Sequence, residues 1–225
     1  MRVATAGWAW AADYAYAARR QLRRVFSRAG LPVGDGGRAP VVLLPGVYET
    51  WHFLEPVARE LARGGYRVST VPGLGDNRRP VADAAGRVAR YLEEQDLRDV
   101  VLVAHSKGGL VGKQVMVSGS GHRVAGMVAI ATPFRGSRWA RYVVGRTLRA
   151  FAPGDPVLRA LALELDVDRR ITAVYPQFDP HIPETGSLPG ARNVELPLAG
   201  HFSPLGTRLL VRTVVDEVAR LERQD

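Results

Sequence analysis

The chain has 225 residues, 46% of them hydrophobic and 24% charged, the values of one ordinary globular domain with room for a real core. It contains no cysteine, which excludes disulfides, thiolate metal sites and thiol nucleophiles and leaves the redox compartment open. The net charge of +9 is carried almost wholly by arginine, and these arginines are scattered without an RNP-like, zinc-finger or helix-turn-helix pattern, so a solvated basic surface is expected and no nucleic-acid partner.

Residues 1–38 come first and differ from the rest. MRVATAGWAWAADYAYAARR has the outward look of a signal peptide. Its apolar stretch is short, Asp13 interrupts it, and arginines follow where a cleavage site belongs. A helix is expected instead. Trp10, Tyr14, Ala18, Leu22 and Val25/Phe26 form a stripe at helical spacing, with Arg20, Arg24 and Arg28 elsewhere on the wheel. Such a helix either docks on the domain or lies on a membrane surface through residues 1–30. GLPVGDGGRAP then reads as a linker. No run is long and apolar enough to span a bilayer, and without a convincing signal the expected location is the cytoplasm, with membrane association as an addition.

From residue 39 to 225 the pattern alternates. VVLLP (41–45), YRVSTV (66–71), VVLVA (100–104), VAGMVAIA (124–131), ITAVYP (171–176) and NVELPL (193–198) read as strands. Helices are expected over 50–63, over 81–95, from Ser106 onward and over 204–222. The alternation indicates βαβ units and a mostly parallel six-stranded sheet with helices on both faces. Residues 134–170 are long for a connection and carry Trp139, Tyr142, Val143, Val144, Leu148, Phe151 and Leu158. They are expected to form one or two helices as a small cap. In such sheets, functional groups gather at the carboxyl ends of the strands.

AHSKGG (104–109) stands at one of these ends. A strand that turns straight into a helix makes a tight elbow, and small residues on either side relieve the crowding. Ala104, Gly108 and Gly109 supply them, giving A-x-S-x-G, a variant of G-x-S-x-G. Ser106 is then the candidate nucleophile; the plain alternative is a helix cap. Its base should be a histidine at the same edge. His52, His105, His122 and His181 fit less well than His201, in AGHFSPL directly after the last strand. His105 is expected to point into packing. Chain order in this architecture is Ser, acid, His. Asp179, just after strand five, is the expected acid, with Glu184 as the fallback; Asp166 and Asp168 precede that strand and belong to the opposite edge. The oxyanion donors expected are the backbone N–H groups of Lys107 and of Val47, in the loop LPGVYETW. The Lys107 side chain is read as exposed. No HExxH, His/Asp cluster or P-loop appears, so no metal and no organic cofactor is expected.

Taken together, VVLLPG, AHSKGGLVG, IATPFRGS, FDPHIP and AGHFSPL resemble the α/β-hydrolase superfamily, most nearly its small bacterial lipases and carboxylesterases. ATPFRGS is similar to their T-P-H-x-G-S segment. The resemblance covers residues 40–222 and implies a Ser106–Asp179–His201 triad with oxyanion donors at Val47 and Lys107. There are departures. Ala104 replaces the first elbow glycine, and Pro45-Gly46 stands where His-Gly is usual. A helical segment replaces the two opening strands. The activity implied is cleavage of a small-molecule or lipid carboxylic ester through an acyl-enzyme. Acyl transfer or thioester hydrolysis by the same triad, and a non-catalytic membrane-associated binding protein, are the alternatives.

Overall fold

The computed structural model describes residues 3–26, 30–142 and 151–223. Six strands, β1 Pro40–Leu44, β2 Arg67–Thr70, β3 Val100–His105, β4 Val124–Ile130, β5 Ile171–Phe178 and β6 Arg192–Ala199, form one sheet in the order β2-β1-β3-β4-β5-β6. Every neighbouring pair is parallel, so the sheet is wholly rather than mostly parallel. The helices are α1 Val3–Phe26, α2 Glu55–Arg63, α3 Val81–Glu94, α4 Lys107–Met116, α5 Pro156–Leu163 and α6 Arg208–Glu222.

The period of two along each strand decides the layers. Val42 and Leu44 of β1, with Val100, Leu102 and Ala104 of β3, pack under α3, α4 and α5. Val41, Leu43, Val101 and Val103 point the other way, against α2 and α6. Both faces of β1 and β3 are buried, which is why these strands read as unbroken apolar runs. Strand order reverses between β1 and β3. The chain leaves β1 in one direction and returns on the other side, opening a crevice at their carboxyl ends. Ser106 follows β3 and Val47 follows β1, so both stand at that crevice.

Two expectations change in detail. The segment expected as a cap holds a 3₁₀ turn, Arg138–Tyr142, and α5; Asp155 caps α5 by accepting from the Val157 N–H at 2.9 Å. Val143, Val144 and Leu148 lie outside the described residues. Phe134, Ala140, Phe151, Leu158 and Leu161 join the core beneath α3 and α4.

Helix α1 docks on the domain, but not through the expected stripe. Its buried positions are Ala9, Asp13 and Arg20. Tyr16 donates to the Phe53 carbonyl at 2.8 Å, and Arg20 and Arg23 reach Glu55 at 2.8 and 2.5 Å. Gln21 donates to the Tyr48 carbonyl at 2.7 Å. Tyr14, Leu22, Val25 and Phe26 face solvent. Polar anchors hold this helix, so the default assumption that the apolar face turns inward fails here.

Candidate active site

The turn after β3 is strained. Ser106 has φ 51° and ψ −121°, a region that residues with side chains occupy only when their surroundings dictate it. Those surroundings are visible. The Ser106 N–H donates to the Ile130 carbonyl at 2.8 Å, tying the elbow to the end of β4. A Cβ at position 108 would collide with the Leu44 carbonyl, and one at 109 with the Thr132 side chain. The first turn of α4 is therefore squeezed between β1 and β4, and only glycine fits there. The Ser106 side chain makes no capping hydrogen bond, unlike the helix cap weighed from sequence.

Asp179 follows β5 and His201 follows β6, at the same edge. The His201 Nδ1–H donates to Asp179 Oδ2 at 2.7 Å, which leaves Nε2 as the acceptor. Asp179 Oδ1 accepts from the His181 and Ile182 N–H groups at 2.8 and 3.0 Å. Burial opposes the Asp179 charge, yet the His201 imidazole and these donors outweigh it and hold the carboxyl below its ordinary range. Burial likewise works against a charged His201, and the Asp179 carboxylate beside it overcomes this, so its pKa is raised. Glu184 is elsewhere: it accepts from Arg138 N–H and Nε–H at 3.1 and 2.7 Å.

His105 is buried, as expected, and its two nitrogens face oxygens. Nδ1 lies 2.8 Å from Glu49 Oε2, and Nε2 lies 3.2 Å from the His201 carbonyl. The residue before Ser106 thus touches the backbone of His201, which sets the histidine against the elbow. Glu49 also accepts from the Gly46 N–H at 2.8 Å, and Asn77 donates to the Pro45 carbonyl at 2.7 Å. The turn that carries Val47 is pinned just before that residue. Beyond it, the Tyr48 N–H donates to the Asp76 carbonyl at 2.7 Å.

The Lys107 side chain corrects the sequence reading. It is buried, not exposed. Its Nζ donates to the Asn77 carbonyl at 2.6 Å and also to that of Arg79, because the loop after β2 folds over it. Burial pulls its pKa down to about 8.

Sequence reasoning missed the contribution of α1. Asp13 is fully buried. Its Oδ2 accepts from the His201 N–H at 2.6 Å; its Oδ1 accepts from the N–H groups of Phe202 and Ser203 at 3.0 and 2.9 Å, and from the Ser203 hydroxyl at 2.8 Å. One carboxylate so gathers the backbone of the histidine loop. A signal was present: Asp13 is the only acid in an otherwise basic helix. His181 lies between the two, its ring 4.5 Å from Trp10 and 5.2 Å from His201. Among the described residues, no group of three or more His, Asp or Glu is arranged to hold a metal ion.

A parallel sheet whose order reverses beside a serine on a strained strand-to-helix turn is the architecture of the α/β hydrolases. The match is direct: the alpha/beta hydrolase family model covers residues 41–214, and the chain belongs to that family. No curated protein matches it. Solved structures of the same fold include a Bacillus licheniformis lipase in mature form, at 16% identity and TM-score 0.66, covering 86% of this chain and 96% of that one. A thermophilic esterase from Thermogutta terrifontis is similar at 18% identity and TM-score 0.57, over 84% and 92% of the two chains. An enol-lactonase from Burkholderia xenovorans matches at 18% identity and TM-score 0.59, over 83% and 94%. Helix α1 lies outside the span that the family model covers.

Proposed function

We propose that this hydrolase cleaves carboxylic esters through an acyl-enzyme on Ser106. His201 Nε2 takes the Ser106 proton, and the hydroxyl oxygen attacks the ester carbonyl. Asp179 holds the imidazole in the tautomer required and stabilises its charged form. The oxyanion is met by the N–H groups of Val47 and Lys107, and collapse of the intermediate expels the alcohol with the proton from His201. Water activated by His201 then releases the acid. The observation that carries this reading is the 2.7 Å bond from His201 to Asp179, beside an elbow that holds Ser106 in a strained conformation. The exposed apolar side chains Trp139, Tyr142 and Leu163 of the stretch after β4 support an acyl substrate, small or lipid. On that basis kcat/KM should rise with acyl length to a medium chain, and a sharp optimum at acetyl would remove the argument.

The direct test is intact-protein mass spectrometry after a fluorophosphonate. The expected result is one adduct, mapped to Ser106 and missing from Ser106→Ala. Absence of an adduct, or labelling that persists in the mutant, would overturn the nucleophile.

A further inference from the structure

Helix α1 is amphipathic the wrong way round for a helix that only completes a core. At about 100° per residue, Ala9, Asp13, Tyr16 and Arg20 share a narrow inward arc. Directly opposite, Trp8, Tyr14, Leu22, Val25 and Phe26 fall within about 120° of the wheel, with Gly7, Ala11, Ala15 and Ala18 among them over residues 7–26. Trp8 is 75% exposed, Val25 72% and Phe26 77%. Contiguous large apolar side chains of this kind mark an interaction site; scattered ones do not. Arg19, beside that outward arc, and Arg24 are exposed, and the one acid of the helix, Asp13, is buried on the inward side.

The position of the helix matters as much as its face. Its contacts are with the turn after β1, through Tyr48 and Phe53, and with the loop after β6, through His201 to Ser203. It therefore lies along the carboxyl edge of the sheet, the edge that also carries Ser106. Tyr48 and Trp139, in the loops after β1 and β4, are also part-exposed at that edge.

We propose that the outward face of α1 is a docking surface for an anionic phospholipid bilayer, and that it sets the Ser106 edge of the sheet against the lipid. Aromatic and aliphatic side chains flanked by arginine suit the boundary between acyl chains and anionic headgroups. The chain as a whole carries +9, which draws it to such a surface. Nothing in this depends on turnover.

The test uses the full chain with Ser106→Ala, so that no lipid is consumed. Vesicles of phosphatidylcholine alone and of phosphatidylcholine with phosphatidylglycerol are floated with the protein. Binding to the anionic vesicles is expected, weaker at high salt. Leu22→Ser with Phe26→Ser should reduce it at least tenfold; Arg19→Gln with Arg24→Gln should reduce it and its salt dependence. All four side chains are exposed, so the fold has no need of them. No partition onto anionic vesicles, or partition unchanged in both variants, overturns the proposal. So does a dimer in solution that Leu22→Ser with Phe26→Ser dissolves, since the face would then belong to a second copy. Fluorophosphonate labelling of the wild type reports separately on the nucleophile.

Discussion

Asp13 gives four donors of the histidine loop one acceptor group, and none of them has an apolar substitute. Asp13→Asn keeps the size but turns one oxygen into a donor that faces N–H groups. Stability should fall by about 2 kcal/mol. The loss in kcat should be on the order of 10–100-fold, because a shift of the His201 backbone misplaces Nε2. Steady-state kinetics on a soluble ester will show it in kcat rather than KM. Ser106 is the opposite case. Its φ of 51° is easy only for glycine, so Ser106→Gly should abolish labelling and yet raise stability by about 1 kcal/mol, read by thermal melting. The histidines have signs of their own. His201 is raised above its ordinary 6.5 by Asp179 despite burial, so the acid limb of the rate profile should lie above 6.5. Its contribution to stability is complete at low pH and is lost as the pH rises through its folded value. His181 is held down at about 4, first by burial and then by His201. Between 6.5 and about 4 the unfolded chain binds that proton first, so stability falls as the pH drops through this window. Asp179, also depressed, adds to the loss further down in pH. His181→Gln should flatten the slope, keeping roughly 2 kcal/mol at the acid end.

At the scale of the elements, what the sequence made legible was local. Strands buried on both faces announce themselves as apolar runs, and β1, β3 and β4 stand within a residue or so of where VVLLP, VVLVA and VAGMVAIA place them. The elbow was legible because its crowding forces Ala104, Gly108 and Gly109 into a spacing of a few residues. The same crowding makes Gly108→Ala costly. Its Cβ would meet the backbone of Leu44, which cannot swing aside, and about 3 kcal/mol of stability should be lost in a denaturant titration. Strand-end logic puts Asp179 and His201 at one edge, where the structure has them in contact, because it needs topology alone. The partners of Lys107 and His105 were not, because a loop crossing from another strand leaves no periodic trace. The orientation of helix α1 was not legible for a related reason. Periodicity tells which residues share a face, and not which way that face turns. Here the polar anchors Asp13, Tyr16, Arg20, Gln21 and Arg23 outvoted the stripe.

For the molecule as a whole, α1 adds little to the core: among its described residues Ala9 is the one buried apolar side chain, and Tyr16 and Ala17 pack only part-buried against the layer of α2 and α6. The sheet has both its layers without it. Removing residues 1–26 should therefore leave a cooperative thermal transition while hydrolysis falls at least as far as in Asp13→Asn. The bonds from Asp13 to residues 201–203 also join parts of the chain separated by 188–190 positions. Contacts of that range form late, after shorter loops have closed. During synthesis the helix is made long before the loop that it must hold. The serine is bent into place by β1, β3 and β4 alone, but the histidine is set only when nearly the whole chain is available. Order in the backbone and competence in the site are then separate events in time. In refolding, fluorophosphonate labelling should lag behind recovery of the far-ultraviolet dichroism, and a nascent chain should stay unlabelled until its last strand is laid down.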